Sequence, residues 1–364
     1  GLMEDPKKRV VINKEVCEGC GDCSIQSSCV SIEPVETELG RKRKINQSSC
    51  NKDFSCIKGF CPSFVTVDAD IKKNTSFQDL GEFPEPKISI NDQVANIMLT
   101  GIGGTGVLTI SAILAYAAHY EGKDSSVLDM TGLAQKGGAV WSHIKIYEKG
   151  VAPFSQKISP GAADILLACD GVVGTKPEIQ EVISRDRTLT VLNSNTAPVA
   201  DFVTNRDLDF KNNDVLKMLE ATTKKIVSLV PAIKISEELS GDAIGTNMLM
   251  LGSAYQNGLI PLKAENIIKA IELNGVGIER NVYNFNLGRL YAINPNHEIF
   301  EFLNRDNVKN LNSVELFEDR LDKIRNYDKK VVKDFTENKD LIDQILSQEI
   351  ETELVSKSAI KELY

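Results

Sequence analysis

Apolar and polar residues alternate in short blocks along most of this chain. Val94–Thr100 is an apolar run closed by glycines, and an apolar helical pattern follows over about 105–120. Ser126–Met130 predicts a second strand. Ala139–Tyr147 alternates with period two, so that Val140, Ser142, Ile144 and Ile146 share one face. Ala163–Cys169, Thr188–Leu192 and Lys225–Val230 are short apolar runs bounded by turn residues, as buried parallel strands are. Helical spacing recurs at about 177–185, 243–256, 264–273 and 279–291. This alternation predicts an α/β domain over residues 93–300. Its expected fold is a Rossmann-like, mostly parallel sheet with helices on both faces.

The flanks read differently. Residues 1–16 look like an incoming linker that ends in a short strand, Arg9–Asn13. Residues 17–68 form an irregular, cysteine-rich segment. Residues 69–92, with Gly81, Pro84 and Pro86, read as a second linker. In 301–364, Val314, Phe317, Leu321 and Ile324 recur at three-four spacing, and Leu341, Ile345 and Leu346 continue the pattern. These are amphipathic helices with no evident core of their own.

Composition narrows the function classes. The 364 residues carry a net charge of −9, which argues against general nucleic-acid binding. Residues 1–73 hold twelve Lys/Arg and eleven Asp/Glu, so the acidity lies almost wholly in the rest. No apolar run approaches the roughly eighteen residues of a membrane span. The N-terminus has no apolar core of a secretory signal. Seven of the eight cysteines lie between Cys17 and Cys61. An odd number, in a large chain without a signal, suits metal-bound thiolates in a reducing cytoplasm better than disulfides.

The cysteine spacing points to iron. Cys17-Glu-Gly-Cys20-Gly-Asp-Cys23 offers three thiols from one tight loop, which can wrap a [4Fe–4S] cube. Gly19 and Gly21 permit the left-handed backbone that such a loop needs. Zinc is the bland alternative, but it usually takes paired C-x2-C knuckles rather than a triplet. Cys61, followed by Pro62, is the preferred fourth ligand, and Cys29 is its rival. Cys29, Cys50 and Cys56 are then left over. They could hold a second cluster with a non-cysteine ligand, hold a three-iron cluster, or be structural thiols. The run Arg41-Lys-Arg-Lys44 reads as a solvated hairpin tip, or as a docking patch for an acidic electron carrier.

The first α/β strand runs into Gly101-Ile-Gly103-Gly104-Thr-Gly106 and then a helix. This is G-x-G-x-x-G in the strand–turn–helix setting where a helix N-terminus can hold a phosphate. Asp129 ends the second strand, about where a ribose-binding acid would lie. The nicotinamide reading has a weakness. Asp129 is followed not by a helix but by the loop Thr131–Gly138 and a further strand. The glycines could equally serve close helix–strand packing. His143 and Trp141 share a face of that further strand and read as core or interface residues.

Together CEGCGDC, SSCNKDFSCIKGFCPSF, the GIGGTG loop and VLDMTGLAQKGGAVWSHIKI resemble the fused, single-chain indolepyruvate ferredoxin oxidoreductases of the 2-oxoacid:ferredoxin oxidoreductase superfamily. The resemblance covers roughly residues 7–300. It implies an iron–sulfur segment joined to a gamma-type catalytic domain, with 301–364 as the start of a C-terminal extension. It also implies oxidative decarboxylation of an arylpyruvate to an acyl-coenzyme A. Thiamine diphosphate and magnesium would serve in the full enzyme, and single electrons would pass through [4Fe–4S] clusters to ferredoxin. The GDG pattern that holds thiamine diphosphate and magnesium in that family is missing from the chain. The expectation is therefore a portion of a longer polypeptide, or one partnered by a thiamine-binding subunit, that cannot turn over arylpyruvate alone. The competing readings are an iron–sulfur NAD(P)- or flavin-dependent reductase and a pure electron-transfer adaptor.

Overall fold

The computed structural model describes residues 6–37, 40–68, 77–90, 93–132, 138–151, 153, 155–195 and 212–304. The helices expected beyond 304 lie outside the described residues. Two compact units divide the chain: Gly1–Ala69 with Asn304–Tyr364, and Asp70–Leu303. Among the described residues no helix is long and apolar enough to cross a membrane.

The cysteine-bearing unit has elements of its own. They are β1 (Lys8–Ile12), α1 (Asp22–Ser27), β2 (Ile32–Thr37), β3 (Gly40–Ile45), a 3-10 turn at Ser55–Lys58, and β4 (Phe64–Asp68). β1 pairs antiparallel with β4, and β2 with β3. The core is Ile12, Cys17 and Ile32, surrounded by Cys23, Cys29, Ile45, Cys56 and Phe64. Among the described residues this core holds few apolar side chains, and of the thiols beside it only Cys17 is fully buried.

The basic run is not a hairpin tip. It forms β3 itself. Arg41 and Lys44 pair across the strand with Glu36 at 2.6 Å and Glu33 at 3.5 Å. Lys42 and Arg43 are 7% and 1% exposed. With two cations buried and two paired to glutamates, the run is no open basic patch either.

In the second unit the described elements are β5 (Val94–Ile102), α2 (Val107–Tyr120), β6 (Asp124–Thr131), β7 (Ala139–Tyr147), β8 (Ile165–Ala168), α3 (Gly171–Gly174), α4 (Pro177–Gln180), β9 (Leu189–Asn193), α5 (Asn212–Thr222), β10 (Lys225–Val230), α6 (Ala232–Ser240), α7 (Thr246–Gln256), α8 (Ala264–Asn274) and α9 (Ile278–Ile293). Six strands form one sheet in the order β10-β9-β8-β5-β7-β6. β10, β9, β8 and β5 run parallel, while β7 is antiparallel to both β5 and β6. The central strands are apolar on both parities because both faces are covered. Ile97, Leu99, Ile165 and Leu167 enter one core with α2, α7, α8 and α9. Met98, Leu166 and Ala168 enter the other with Ile179, Val182 and Leu219.

The stretch read as a linker is fixed on the helices over 77–90. Phe77 stacks on Tyr283 with ring centroids 4.8 Å apart. The Arg289 guanidinium lies 4.8 Å from the Phe83 ring centre, a cation–π contact. Tyr255 donates its hydroxyl proton to Glu85, and the Ser89 N–H donates to the Gly258 carbonyl at 2.8 Å.

α7 and α9 meet backbone to backbone. A Cβ at Gly252 would lie 1.9 Å from the Phe285 carbonyl oxygen, and one at Gly288 would lie 1.9 Å from that of Leu249. Neither helix can yield without parting from the other. Gly288→Ala should therefore destabilise the domain by about 3 kcal/mol, the upper end of overpacking penalties, read as a fall in urea midpoint.

His143 gives a pH-dependent test. It is 2% exposed, and its Nδ1 accepts the Ile158 N–H at 3.3 Å. Burial, then the charges of Lys157 and Lys145, pull its pKa down from 6.5 to about 4. Between those values the unfolded chain binds a proton that the folded chain refuses. Stability therefore falls as pH drops through that window. The advantage of wild type over His143→Gln should shrink by about 2–3 kcal/mol between pH 6.5 and 4. A constant difference would contradict the assignment.

Candidate metal centre and the glycine loop

The first cysteine loop is built by two left-handed residues. Gly19 and Gly21 have φ of 74° and 78°, and Gly21 is the residue from which α1 starts. The Gly19 N–H donates to the Cys17 Sγ at 3.4 Å. A Cβ on Gly19 would lie 2.0 Å from the Arg41 carbonyl oxygen, so the loop is packed on the β3 backbone. Cys17 is buried, Cys23 half-buried and Cys20 exposed. Burial raises the Cys23 thiol, and the neighbouring Cys17 and Cys20 raise it further.

A second group is equally clear. Burial pushes the Cys56 thiol up to about 11, with Cys29 and Cys50 the next contributors. Cys29 and Cys56 both pack against the core of Ile12, Cys17 and Ile32. Cys61 is exposed, its Sγ 3.0 Å from the Ser63 hydroxyl. Among the described residues no three His, Cys, Asp or Glu side chains converge closely enough to share one metal ion. A zinc site gathers four donors at about 2.0–2.3 Å, whereas a cube takes its thiolates one at each iron.

The glycine loop sits where β5 hands over to α2. Gly101 lies in β5, and a Cβ there would come 2.5 Å from the Val107 side chain. Gly104 and Gly106 have φ of 86° and 95°, and Gly106 precedes the first turn of α2. The Gly103 N–H is already given to Gly138 at 2.8 Å, and the Thr105 N–H to Ile102 at 3.2 Å. Asn247, from α7, donates to the Thr105 carbonyl at 2.8 Å. Two of the N–H groups that a phosphate would want are thus spent inside the fold. Close packing accounts for Gly101, and turn geometry for Gly104 and Gly106.

Asp129 is likewise engaged. Its Oδ1 accepts the hydroxyls of Ser111 on α2, at 3.0 Å, and of Ser142 on β7. β7 lies between β5 and β6, so Asp129 is one strand further from the glycine loop than a ribose-binding acid would be. Much of the loop after it, residues 133–137, lies outside the described residues. Two other groups at the strand ends were not singled out from the sequence. Cys169 and Asp170 follow β8 and are both buried. Burial raises the Cys169 thiol and pushes the Asp170 carboxyl up to about 6, against the Val173 and Val172 N–H groups at the start of α3. Only an Asp before Gly-Val-Val, a capping signal, could have flagged Asp170.

The two thiol environments can be told apart chemically. At pH 8 a thiol with a pKa of 11 is about a hundredfold less ionised than one of 9, and the greater nucleophilicity of its thiolate returns about tenfold. In the reduced, metal-free chain, iodoacetamide should label exposed Cys20 and Cys61 at least about tenfold faster than Cys56, with buried Cys169 last. Peptide mass spectrometry over time reads the order. Equal rates for Cys20 and Cys56 would contradict it.

Comparison with known proteins adds the family. Residues 96–291 match pyruvate ferredoxin/flavodoxin oxidoreductase. The chain is 28% identical over 177 residues to indolepyruvate oxidoreductase subunit IorB of Archaeoglobus fulgidus, covering 48% of this chain and 83% of that one. It is 29% identical over 177 residues to the pyruvate/ketoisovalerate oxidoreductases common subunit gamma of Pyrococcus abyssi, covering 48% and 84%. Pyruvate oxidoreductase subunit PORC of Thermotoga maritima aligns with a TM-score of 0.35 and 21% identity over 54% of this chain and 96% of that one. The cysteine segment lies outside the matched region. With just over half of its length matched, and with relatives that are themselves oxidoreductase subunits, the chain belongs to the pyruvate ferredoxin/flavodoxin oxidoreductase family and is part of an oxidoreductase.

Proposed function

We propose that this chain is the iron–sulfur and gamma-type portion of an indolepyruvate-type ferredoxin oxidoreductase. The single observation behind this reading is a domain of the family on the same chain as grouped thiols on a built loop. Relatives named as indolepyruvate oxidoreductase subunits favour an arylpyruvate as the substrate of the whole enzyme. Thiamine diphosphate, magnesium and coenzyme A would be handled by the rest of the same polypeptide or by a thiamine-binding subunit, and ferredoxin would accept the electrons.

Cys17, Cys20 and Cys23 are the ligands assigned to the first [4Fe–4S] cluster. Cys61, followed by Pro62, completes the set. When bound, such a cluster takes up and passes on one electron at a time. The chain's own part is to hold and shield it. Cys17 is buried with Ile32, the Gly19 N–H donates to the Cys17 sulfur, and Cys20 is exposed, so these thiols would hold a cluster between a dry core and solvent. Gly101, Gly103, Gly104 and Gly106 are assigned to seating α2 against the sheet, near where coenzyme A or a partner subunit would lie.

Anaerobic reconstitution tests this reading. The full chain should take up iron and acid-labile sulfide in near-equal amounts and give a paramagnetic signal on reduction. Mixed with the thiamine-binding part, it should support arylpyruvate-dependent ferredoxin reduction, which Cys20→Ser abolishes. Zinc without sulfide, or tight NAD(P)H binding by the chain, would overturn the proposal.

A further inference from the structure

The first cysteine loop is built a second time, with one ligand changed. Cys17-x2-Cys20-x2-Cys23 is matched in spacing by Cys50-x2-Asp53-x2-Cys56. Asp53 stands where the middle thiol would be. The backbone repeats as well. Gly19 and Gly21, two and four residues after Cys17, have φ of 74° and 78°. Lys52 and Phe54, two and four residues after Cys50, both have φ of 58°. The Gly19 N–H donates to the Cys17 Sγ at 3.4 Å, and the Lys52 N–H to the Cys50 Sγ at 3.3 Å. In both loops a short helical element starts after the second left-handed residue: α1 after Gly21 and the 3-10 turn after Phe54. The middle residue is exposed in both, and the last thiol is half-buried in both.

Packing agrees with the match. Cys29 and Cys56 lie against the same small core of Ile12, Cys17 and Ile32. The Ser55 N–H and hydroxyl both donate to Asp53 Oδ1, at 3.0 and 2.8 Å, so one carboxylate oxygen is held and the other is left to a ligand role. A left-handed conformation costs a side-chain-bearing residue about 1 kcal/mol or more. The second loop accepts that cost twice, at Lys52 and Phe54, to reproduce the turn that glycines make in the first.

We propose that Cys29, Cys50, Asp53 and Cys56 bind a second [4Fe–4S] cluster, in which Asp53 ligates one exchangeable iron through a carboxylate oxygen. This deepens the reading of the segment as an iron–sulfur binder and rests on it. A hard carboxylate holds an iron of a sulfide cube less firmly than a soft thiolate does. Mild oxidation should exploit the difference. The [4Fe–4S]2+ cube gives one electron to ferricyanide, the Asp53–iron bond breaks, and that iron leaves as Fe2+. A [3Fe–4S]+ cluster then remains on three thiolates. The first loop, with Cys20 at the same position, resists this loss.

The test uses the full chain, reconstituted anaerobically, titrated with ferricyanide and followed by iron and sulfide analysis and electron paramagnetic resonance. Wild type should hold about eight irons, fall to about seven on oxidation, and develop a three-iron signal. Asp53→Cys should keep about eight irons and show no such signal. Asp53→Asn should hold about seven from the outset, with the signal present before oxidant. Cys20→Ser, run alongside, reports on the first loop alone. If Asp53→Asn matches wild type in iron count and spectra while Cys20→Ser loses iron, the Asp53 proposal falls and the parent reading stands. If no variant and no wild type holds acid-labile sulfide, both fall.

Discussion

A single loop can offer three sulfurs to one inorganic cube only if its backbone turns through the left-handed region between them. Most of the cysteine-bearing unit follows from that constraint. Glycine is the residue that makes this turn without a steric penalty, and Gly19 and Gly21 do so in the first loop. The turn also brings Gly19 onto the β3 backbone, with no room for a side chain. A strand must therefore lie beside the loop, and β2, β3 and the small thiol-lined core are organised around it. In the second loop Lys52 and Phe54 take the same conformation without being glycine. The geometry was kept there although the residue that makes it easily was not.

A different constraint governs the α/β unit. β7 returns from the edge and inserts between β5 and β6. This one hairpin changes what a G-x-G-x-x-G loop can do. In a dinucleotide-binding unit the second parallel strand lies next to the first, and its terminal acid meets the ribose. Here that neighbour is antiparallel, Asp129 is bound by Ser111 and Ser142, and the Gly103 N–H extends the β5–β7 ladder to Gly138. The glycines serve turn and packing, and Asn247 ties the loop to α7. Membership of an oxidoreductase family is therefore compatible with a Rossmann-like sheet whose glycine loop has lost the usual surroundings of a nucleotide.

Charge follows the same logic in the cysteine unit. The strand beside the first cysteine loop carries four basic residues in a row. Lys42 and Arg43 are buried in β3, beside the point where Gly19 touches the strand. Burying a cation is costly unless opposite charge is near. Arg41 and Lys44, which face solvent more, meet Glu36 and Glu33 instead. The two middle residues of the run are buried and the two outer ones are paired, so the four do not act as one patch. Read as a block of like charge they suggest a tip, whereas the fold uses them singly.

That division shows where the sequence was legible. Short apolar runs bounded by turn residues, and the alternation of β7, were plain signals; β7 and β10 were read to the residue. Elements with weak or misleading local signals were not. α3 is Gly-Val-Val-Gly capped by Asp170 and reads as a continuation of β8. α6 begins after Pro231 with no side-chain cap, so nothing announces it. The strap at 77–90 looks like a linker because its prolines and glycine say nothing of the distant Tyr255, Tyr283 and Arg289 that hold it. The proposed role of Asp53 differs, since its spacing is visible in the sequence. A search for ligands by residue type counts cysteines and finds three left over. A search by spacing asks what stands at the third and sixth positions after the first thiol, and finds Asp53 and Cys56 where the first loop has Cys20 and Cys23. The backbone supports the second way of reading. A cluster loop is defined by where its turns place ligands, and the atom offered there can be sulfur or oxygen so long as the turn is made.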